Sequence, residues 1–429
     1  MTTKTGLARS LDPARFPVIE HRLDNGLQIL LLPKQNVPAV SYTTFFRVGS
    51  RNEEPGRTGM AHFLEHMMFN GAEKYGPKEF DRTLESVGGT SNAYTSHDLT
   101  VYFEDFPSEA LETVIDLEAD RMRSLALDED LFESEREVVK EERRYRVDND
   151  LFGTMEETLA SLMFRAHPYR WPVIGWMGDL DAATREDARR FFRTYYAPNN
   201  ALLVVVGDVE PERALASIEA AYREIPSGPP VPAVPDSEPE PAGERRARVE
   251  FPSHTPAVLI GYRTLPATHP DTPAVELLET ALGAGDSSIL MEKIVYEKEL
   301  ASDVHLSHDL RIDPSAFFVF ADLPAGGDVS RVEAAIYEEL ERVGEEGLSE
   351  KALDRAKAIV RSAILNSFAS HAGIAHALGE HQVVFGDWRE ALTVLDRYQA
   401  VTADDVRRVA REIFREANRS VVTVVPEAA

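Results

Sequence analysis

Thr184-Arg185-Glu186-Asp187-Ala188-Arg189-Arg190 returns 218 positions later as Thr402-Ala403-Asp404-Asp405-Val406-Arg407-Arg408. Arg193 and Arg411 keep that offset, as do Asn200 and Asn418, and the apolar runs Leu203 to Val206 and Val421 to Val424 follow them. Upstream, Ser96-His97-Asp98-Leu99 matches Ser307-His308-Asp309-Leu310, and Phe103 to Pro107 matches Phe320 to Pro324. Self-similarity of this reach implies two halves of one duplicated fold. Between the halves, seven of the sixteen residues from Pro226 to Pro241 are proline, a composition that stays extended and cannot pack a core. The expected division is residues 1–225, a linker over 226–245, and residues 246–429.

Each half opens with strands and moves into helices. Val18 to Leu23 and Leu27 to Leu32 read as a hairpin around Asp24-Asn25-Gly26, since Asn-Gly supplies the positive φ angles of a tight turn. Val37 to Val48 reads as a further strand, and helical periodicity holds over Gly59 to Phe69, Lys78 to Val87, Ser108 to Ser124 and Leu131 to Arg146. Thr100 to Phe106 and Leu202 to Val206 return to the sheet. Clustered strands alternating with runs of helices predict an α+β fold, each half a mostly antiparallel sheet with helices packed on one face.

At 429 residues and 43% hydrophobic, the chain is long enough for several compact units. No basic start followed by an apolar stretch opens it, and no run approaches the roughly 18 to 20 apolar residues that span a bilayer, so a cytoplasmic location is expected. With no cysteine, thiolate metal sites and thiol nucleophiles are excluded, and any metal must use nitrogen and oxygen ligands. The net charge of −27 repels nucleic acid and anionic membrane; it either serves solubility or favours basic peptides.

Gly59 to Phe69 carries His62, Glu65 and His66, which share one helix face because residues three and four apart lie together. Phe63 and Met67 fall off that face, toward a core. Two neutral imidazoles one turn apart can grip a single zinc, and a carboxylate between them can take a proton from metal-bound water. A helix that merely exposes two histidines is the competing reading of so short a motif. A catalytic zinc commonly takes a third protein ligand and leaves one position open. In Glu133 to Glu142, Glu135 and Glu142 lie seven apart on one face; Glu142 would ligate and Glu135 support, although a solvated acidic helix would carry the same residues.

The order His-x-x-Glu-His, then a glutamate 76 residues after the second histidine, resembles the inverzincins of the pitrilysin and mitochondrial processing peptidase (M16-type) family, in its bacterial two-subunit branch. Further stretches agree: Gly49 to Glu53, Asn92-Ala93-Tyr94-Thr95, His167-Pro168-Tyr169-Arg170, Ile174-Gly175, and Tyr195 to Asn200 with Val206-Gly207-Asp208. The resemblance implies a zinc endopeptidase acting on peptides or unfolded segments. His62, His66 and Glu142 would hold one zinc per chain, Glu65 would be the general base, Glu135 a nearby carboxylate, and Asn92-Ala93 the strand edge that pairs with substrate. At the repeat of the zinc helix stand Glu276-Leu277-Leu278-Glu279-Thr280, and opposite Glu141-Glu142 stand Ser362-Ala363, so the second half is expected to hold no metal. Complete members of the family carry an arginine and a tyrosine seven apart in a half without zinc; Val295 and Ser302 occupy those positions here. The resemblance thus implies a homologous partner subunit that carries the pair and lacks the zinc motif. A catalytically silent zinc-containing scaffold is the alternative, against which the retained Glu65 argues.

Overall fold

The structure, a computed structural model, describes residues 11–235 and 238–424. Residues 1–10 and 425–429 of the expected halves, and 236–237 of the expected linker, lie outside the described residues. The first half runs β1 (Ile19–Arg22), β2 (Gln28–Pro33), β3 (Ala39–Phe46), α1 (Met60–Met67), α2 (Glu79–Ser86), β4 (Thr90–Thr95) and β5 (Thr100–Pro107). It continues through α3 (Leu111–Ser124), α4 (Glu129–Arg143), α5 (Leu151–Met163), α6 (Met177–Ala182), α7 (Arg185–Tyr195), β6 (Ala201–Gly207) and α8 (Pro211–Tyr222). The second contains β7 (Arg245–Val249), β8 (Ala257–Arg263), α9 (Thr272–Gly283), β9 (Asp303–His308), β10 (Ala316–Asp322) and α10 (Val329–Glu346). After these come α11 (Glu350–Ser367), α12 (His371–Val384), α13 (Glu390–Ala400), α14 (Ala403–Ile413) and β11 (Arg419–Val424).

The strand orders are β1-β2-β6-β3-β5-β4 and β7-β11-β8-β10-β9. Apart from β1, the second sheet repeats the first: β2 and β7 run parallel to β6 and β11, and every other pairing is antiparallel. The repeated residues do repeated work. Thr184 and Thr402 each cap a helix in a reciprocal capping box, with Asp187 and Asp405 as partners. Asn200 donates to the carbonyls of Arg47 and Tyr195, and Asn418 to those of Arg263 and Ile413, tying each helix end to the strand beside it.

The expected hairpin forms between β1 and β2, but its turn differs from the Asn-Gly expectation. Only Gly26 takes a positive φ, +95°. Asn25 works through its side chain, which is buried, donates to the carbonyls of Tyr222 and Ile225 and accepts from Leu27 N–H. The long-range bonds to the end of α8 hold it in place of the left-handed conformation.

In each half, helices of that half cover one face of its sheet: α1, α3 and α8 in the first, α9, α10 and α14 in the second. The opposite faces are closed by exchange. Ile374, Ala375 and Leu378 of α12 pack on Phe45, Leu202 and Val204 of the first sheet, while Met155, Leu159 and Met163 of α5 pack on Leu259, Phe318 and Val422 of the second. Phe45 and Gly261 occupy equivalent register positions, opposite Leu202 and Ser420. A Cβ on Gly379 would meet the Phe45 ring at 2.0 Å, and one on Gly261 would meet Met163 Sδ at 2.5 Å, so the bulky partner sits on the strand in one half and on the helix in the other.

Under β5 lies a buried charge cluster. Arg121 is 2% exposed and pairs with Glu104 (3.0 Å) and Glu118 (2.6 Å), its guanidinium 4.4 Å from the Tyr102 ring centre and 4.6 Å from that of Phe80. Burial, with the neighbouring Glu118 charge, pushes the Glu104 carboxyl well above the ordinary range. Removing the one cation leaves both carboxylates uncompensated in the core. Arg121→Met is therefore expected to cost about 3–5 kcal/mol in urea unfolding. A loss below about 1 kcal/mol, the range of an exposed pair, would show that the cluster contributes no more than a surface ion pair.

Candidate metal centre

α1 starts where Gly59 takes a left-handed φ of +85°, a position where a Cβ would meet the Ile174 carbonyl oxygen at 2.5 Å. The first amides of the helix have no partner within it. The buried Glu53 carboxylate supplies one, accepting from Gly59 N–H and Ala61 N–H at 2.8 Å each. Phe63, Leu64 and Met67 are buried, which leaves His62, Glu65 and His66 together on the half-buried face. Met68 is core as well, and Phe69 packs against that core.

α4 buries Phe132, Arg136, Val139 and Arg143. Phe132 meets Phe63 with ring centres 4.7 Å apart, which sets α4 against α1. Arg136 donates to the carbonyls of Leu180, Asp181 and Ala183 at the end of α6, and Arg143 to that of Gly175. These anchors turn Glu135 and Glu142 toward the histidines. Past Arg143 the helix widens into a π turn over Arg144–Asp148, so the expected end at Arg146 falls inside a different helical form.

His62 Nε2 lies 3.5 Å and His66 Nε2 3.3 Å from Glu142 Oε2. One donor atom from each of the three side chains lies within 4.8 Å of the others, and this is the metal-capable cluster found among the described residues. Glu142 Oε2 is buried and accepts no hydrogen bond, an orphaned anionic oxygen facing two imidazole nitrogens. Such an atom calls for a cation, and the nitrogen and oxygen donor set fits zinc. His66 Nδ1 bonds Glu135 Oε1 at 2.8 Å, and Asn70 Nδ2 donates to Glu135 Oε2 at 2.8 Å. The His66 bond, helped by Asn70, holds the Glu135 carboxyl below the ordinary range; as a carboxylate it accepts, so His66 Nδ1 carries a proton and Nε2 is the nitrogen turned toward Glu142.

Burial and the neighbouring His66 push His62 down to about 4. For His66 burial acts the same way, but the Glu135 bond and the nearby Glu142 carboxylate outweigh it and push the group up to about 9. Glu65 stands outside the ligand cluster, its carboxyl raised by burial against the opposing pull of the Thr95 hydroxyl at 2.6 Å. Asn92 and Ala93 lie on β4, which among the described residues pairs only with β5 and so forms the sheet edge beside the site. Ala93 N–H is taken up by Asn92 Oδ1 at 2.8 Å.

Residue-level reading missed Thr95, Asn70, Arg146 and Glu53. Arg146 binds Glu142 Oε1 at 2.8 Å from one turn along; Asn70 stands one turn beyond His66, and such spacings were the available signal. A cavity of about 710 Å³ opens beside Arg146, lined among others by Tyr145, Phe152, Glu156, Trp171 and Phe318, and thus by both halves. In the second half, Glu276 accepts from Tyr398 Oη at 2.6 Å at the repeat of the histidine helix, and Ser362 and Ala363 are exposed on α11.

Residues 29–175 match the family described as insulinase (peptidase family M16), and residues 182–360 match the peptidase M16 inactive domain. A Helicobacter pylori protein named zinc protease PqqE is 32% identical over 412 residues, covering 94% of this chain and 92% of that one. The chain belongs to the M16 peptidase family. A crystal structure of a protease from Helicobacter pylori superposes with a TM-score of 0.92 at 30% identity, covering 96% of this chain and all of that one. The periplasmic protease PqqL of Escherichia coli shares the fold at a TM-score of 0.77 and 21% identity; this M16 chain covers 48% of it. No helix among the described residues is long and apolar enough to cross a membrane.

Proposed function

We propose that this chain is the zinc-bearing subunit of a two-chain peptidase, built as a metal half (1–225), a linker (226–245) and a metal-free half (246–429). The observation that carries the reading is the separation of roles at the site: His62, His66 and Glu142 converge within 4.8 Å, while Glu65 stands next to them and outside the cluster, held by Thr95. A purely structural metal site needs ligands but no adjacent base. His62 Nε2, His66 Nε2 and Glu142 would hold one zinc, with Glu135 orienting His66. Bound there, zinc would lower the pKa of a water toward about 7 and polarise a carbonyl oxygen.

Glu65 accepts the proton of the attacking water and delivers it to the leaving amine. A raised carboxyl pKa suits a group that must both take and return a proton. The substrate peptide adds to the free edge of β4 at Asn92 and Ala93, where main-chain pairing tolerates varied side chains. To pair there, it would displace the Asn92 side chain from Ala93 N–H. Neither a nucleic acid nor a membrane is expected as partner for a chain of net charge −27.

Metal analysis of the purified chain tests the assignment, with one zinc per chain expected. The His62→Ala/His66→Ala double variant should bind none, and Glu135→Ala should weaken binding about 10- to 100-fold by releasing the His66 ring. Unchanged stoichiometry in the double variant would place the metal elsewhere.

A further inference from the structure

Among the described residues, a single hydrogen bond reaches the Glu65 carboxylate: Thr95 Oγ1 donates to Oε2 at 2.6 Å. That bond leaves Oε1 as the free acceptor. Thr95 is β-branched, and its stiff χ1 aims the hydroxyl. Yet it is the last residue of an edge strand, paired on one side only.

Contacts from the metal-free half hold this strand end. Side chains alternate across a strand, so Tyr94 points away from Thr95, toward α12. There Tyr94 Oη bonds His376 Nε2 at 2.8 Å, with the rings 5.5 Å apart. Three residues after Thr95, Asp98 accepts from Ile312 N–H (2.9 Å), Tyr169 Oη (2.7 Å) and Arg51 (3.2 Å). Asp313 completes the joint, its carboxylate bound by Arg51 (3.1 Å) and His167 (3.0 Å). The segment from Tyr94 to Asp98 is thus fastened to the second half on both sides of Thr95.

We propose that Thr95 is a positioning residue whose hydroxyl sets the orientation of Glu65, and that the metal-free half holds Thr95 in place through His376 and the Ile312-Asp313 loop. This rests on Glu65 acting as the base. It gives the second half a task within its own chain that needs no metal.

The test compares Thr95→Val, Thr95→Ser, His376→Phe and Glu65→Gln in the assembled peptidase, reading kcat, KM and zinc content, with crystal structures of metal-free wild type and Thr95→Val. Valine keeps the shape of threonine without the hydroxyl. Its kcat should fall about 10- to 100-fold, the cost of a small misplacement, with KM and zinc content little changed. Thr95→Ser should recover most of that loss, His376→Phe should lower kcat less than Thr95→Val, and Glu65 should adopt several side-chain orientations in the Thr95→Val crystal. Wild-type turnover by Thr95→Val, or an equal loss in Thr95→Ser, would overturn the role of Thr95. Wild-type turnover by His376→Phe would overturn the part given to the second half. Should Glu65→Gln itself turn over normally, the assignment of the base fails instead.

Discussion

Glu65→Gln should lower turnover by about 10²- to 10⁴-fold, the usual worth of a positioned proton acceptor, and leave zinc binding intact. The amide keeps the size of the side chain and can still meet Thr95, but it cannot take a proton at neutral pH. Its separation from the ligands makes the expectation specific: the convergent donors are those of His62, His66 and Glu142. Glu142→Gln should give the opposite pattern, losing metal first and activity as a consequence. Steady-state kinetics alongside zinc analysis would distinguish the two. Equal metal loss in both variants would show that Glu65 ligates and is not the base.

The legible part of this site was local. Helix spacing alone puts His62, Glu65 and His66 on one face, and Phe63 and Met67 are buried as that geometry requires. Glu135 and Glu142 were readable as a seven-residue pair, yet nothing local aims α4 at α1; the Phe63–Phe132 contact and the Arg136 and Arg143 anchors do that. β4 escaped the reading of the residues because Thr90-Ser91-Asn92-Ala93-Tyr94-Thr95 lacks a run of β-branched apolar residues, and its place came from the family resemblance. The duplicated sheets were visible in the repeat, whereas the exchange of α5 and α12 was not. Periodicity tells that a helix has an apolar face, but not which sheet will cover it. Asn25 failed for a related reason: its bonds to the end of α8 reach across about 200 residues of sequence.

Purified alone, the chain should turn over peptides about 10²- to 10³-fold more slowly than in the presence of the proposed partner subunit, the usual worth of a donor aimed at the developing oxyanion. In the proposed mechanism the first half would supply the ligands and the base, but negative charge also grows on the carbonyl oxygen. At the positions where the family resemblance would place arginine and tyrosine, Val295 packs against the second core and the Ser302 amide is bound to the Asp322 carbonyl. Neither can donate a charged or phenolic hydrogen bond. No arginine lies between Arg263 and Arg311, so neither side of Val295 offers a guanidinium in its place. A homodimer would bring together two metal halves and two halves lacking the pair, and the deficit would persist. A homologous subunit with the arginine and tyrosine and no zinc motif would fill the gap. The assay compares the chain alone with the chain plus the most similar protein encoded beside it; full turnover by the isolated chain, unchanged by that addition, would mean that a donor for the oxyanion lies within this sequence.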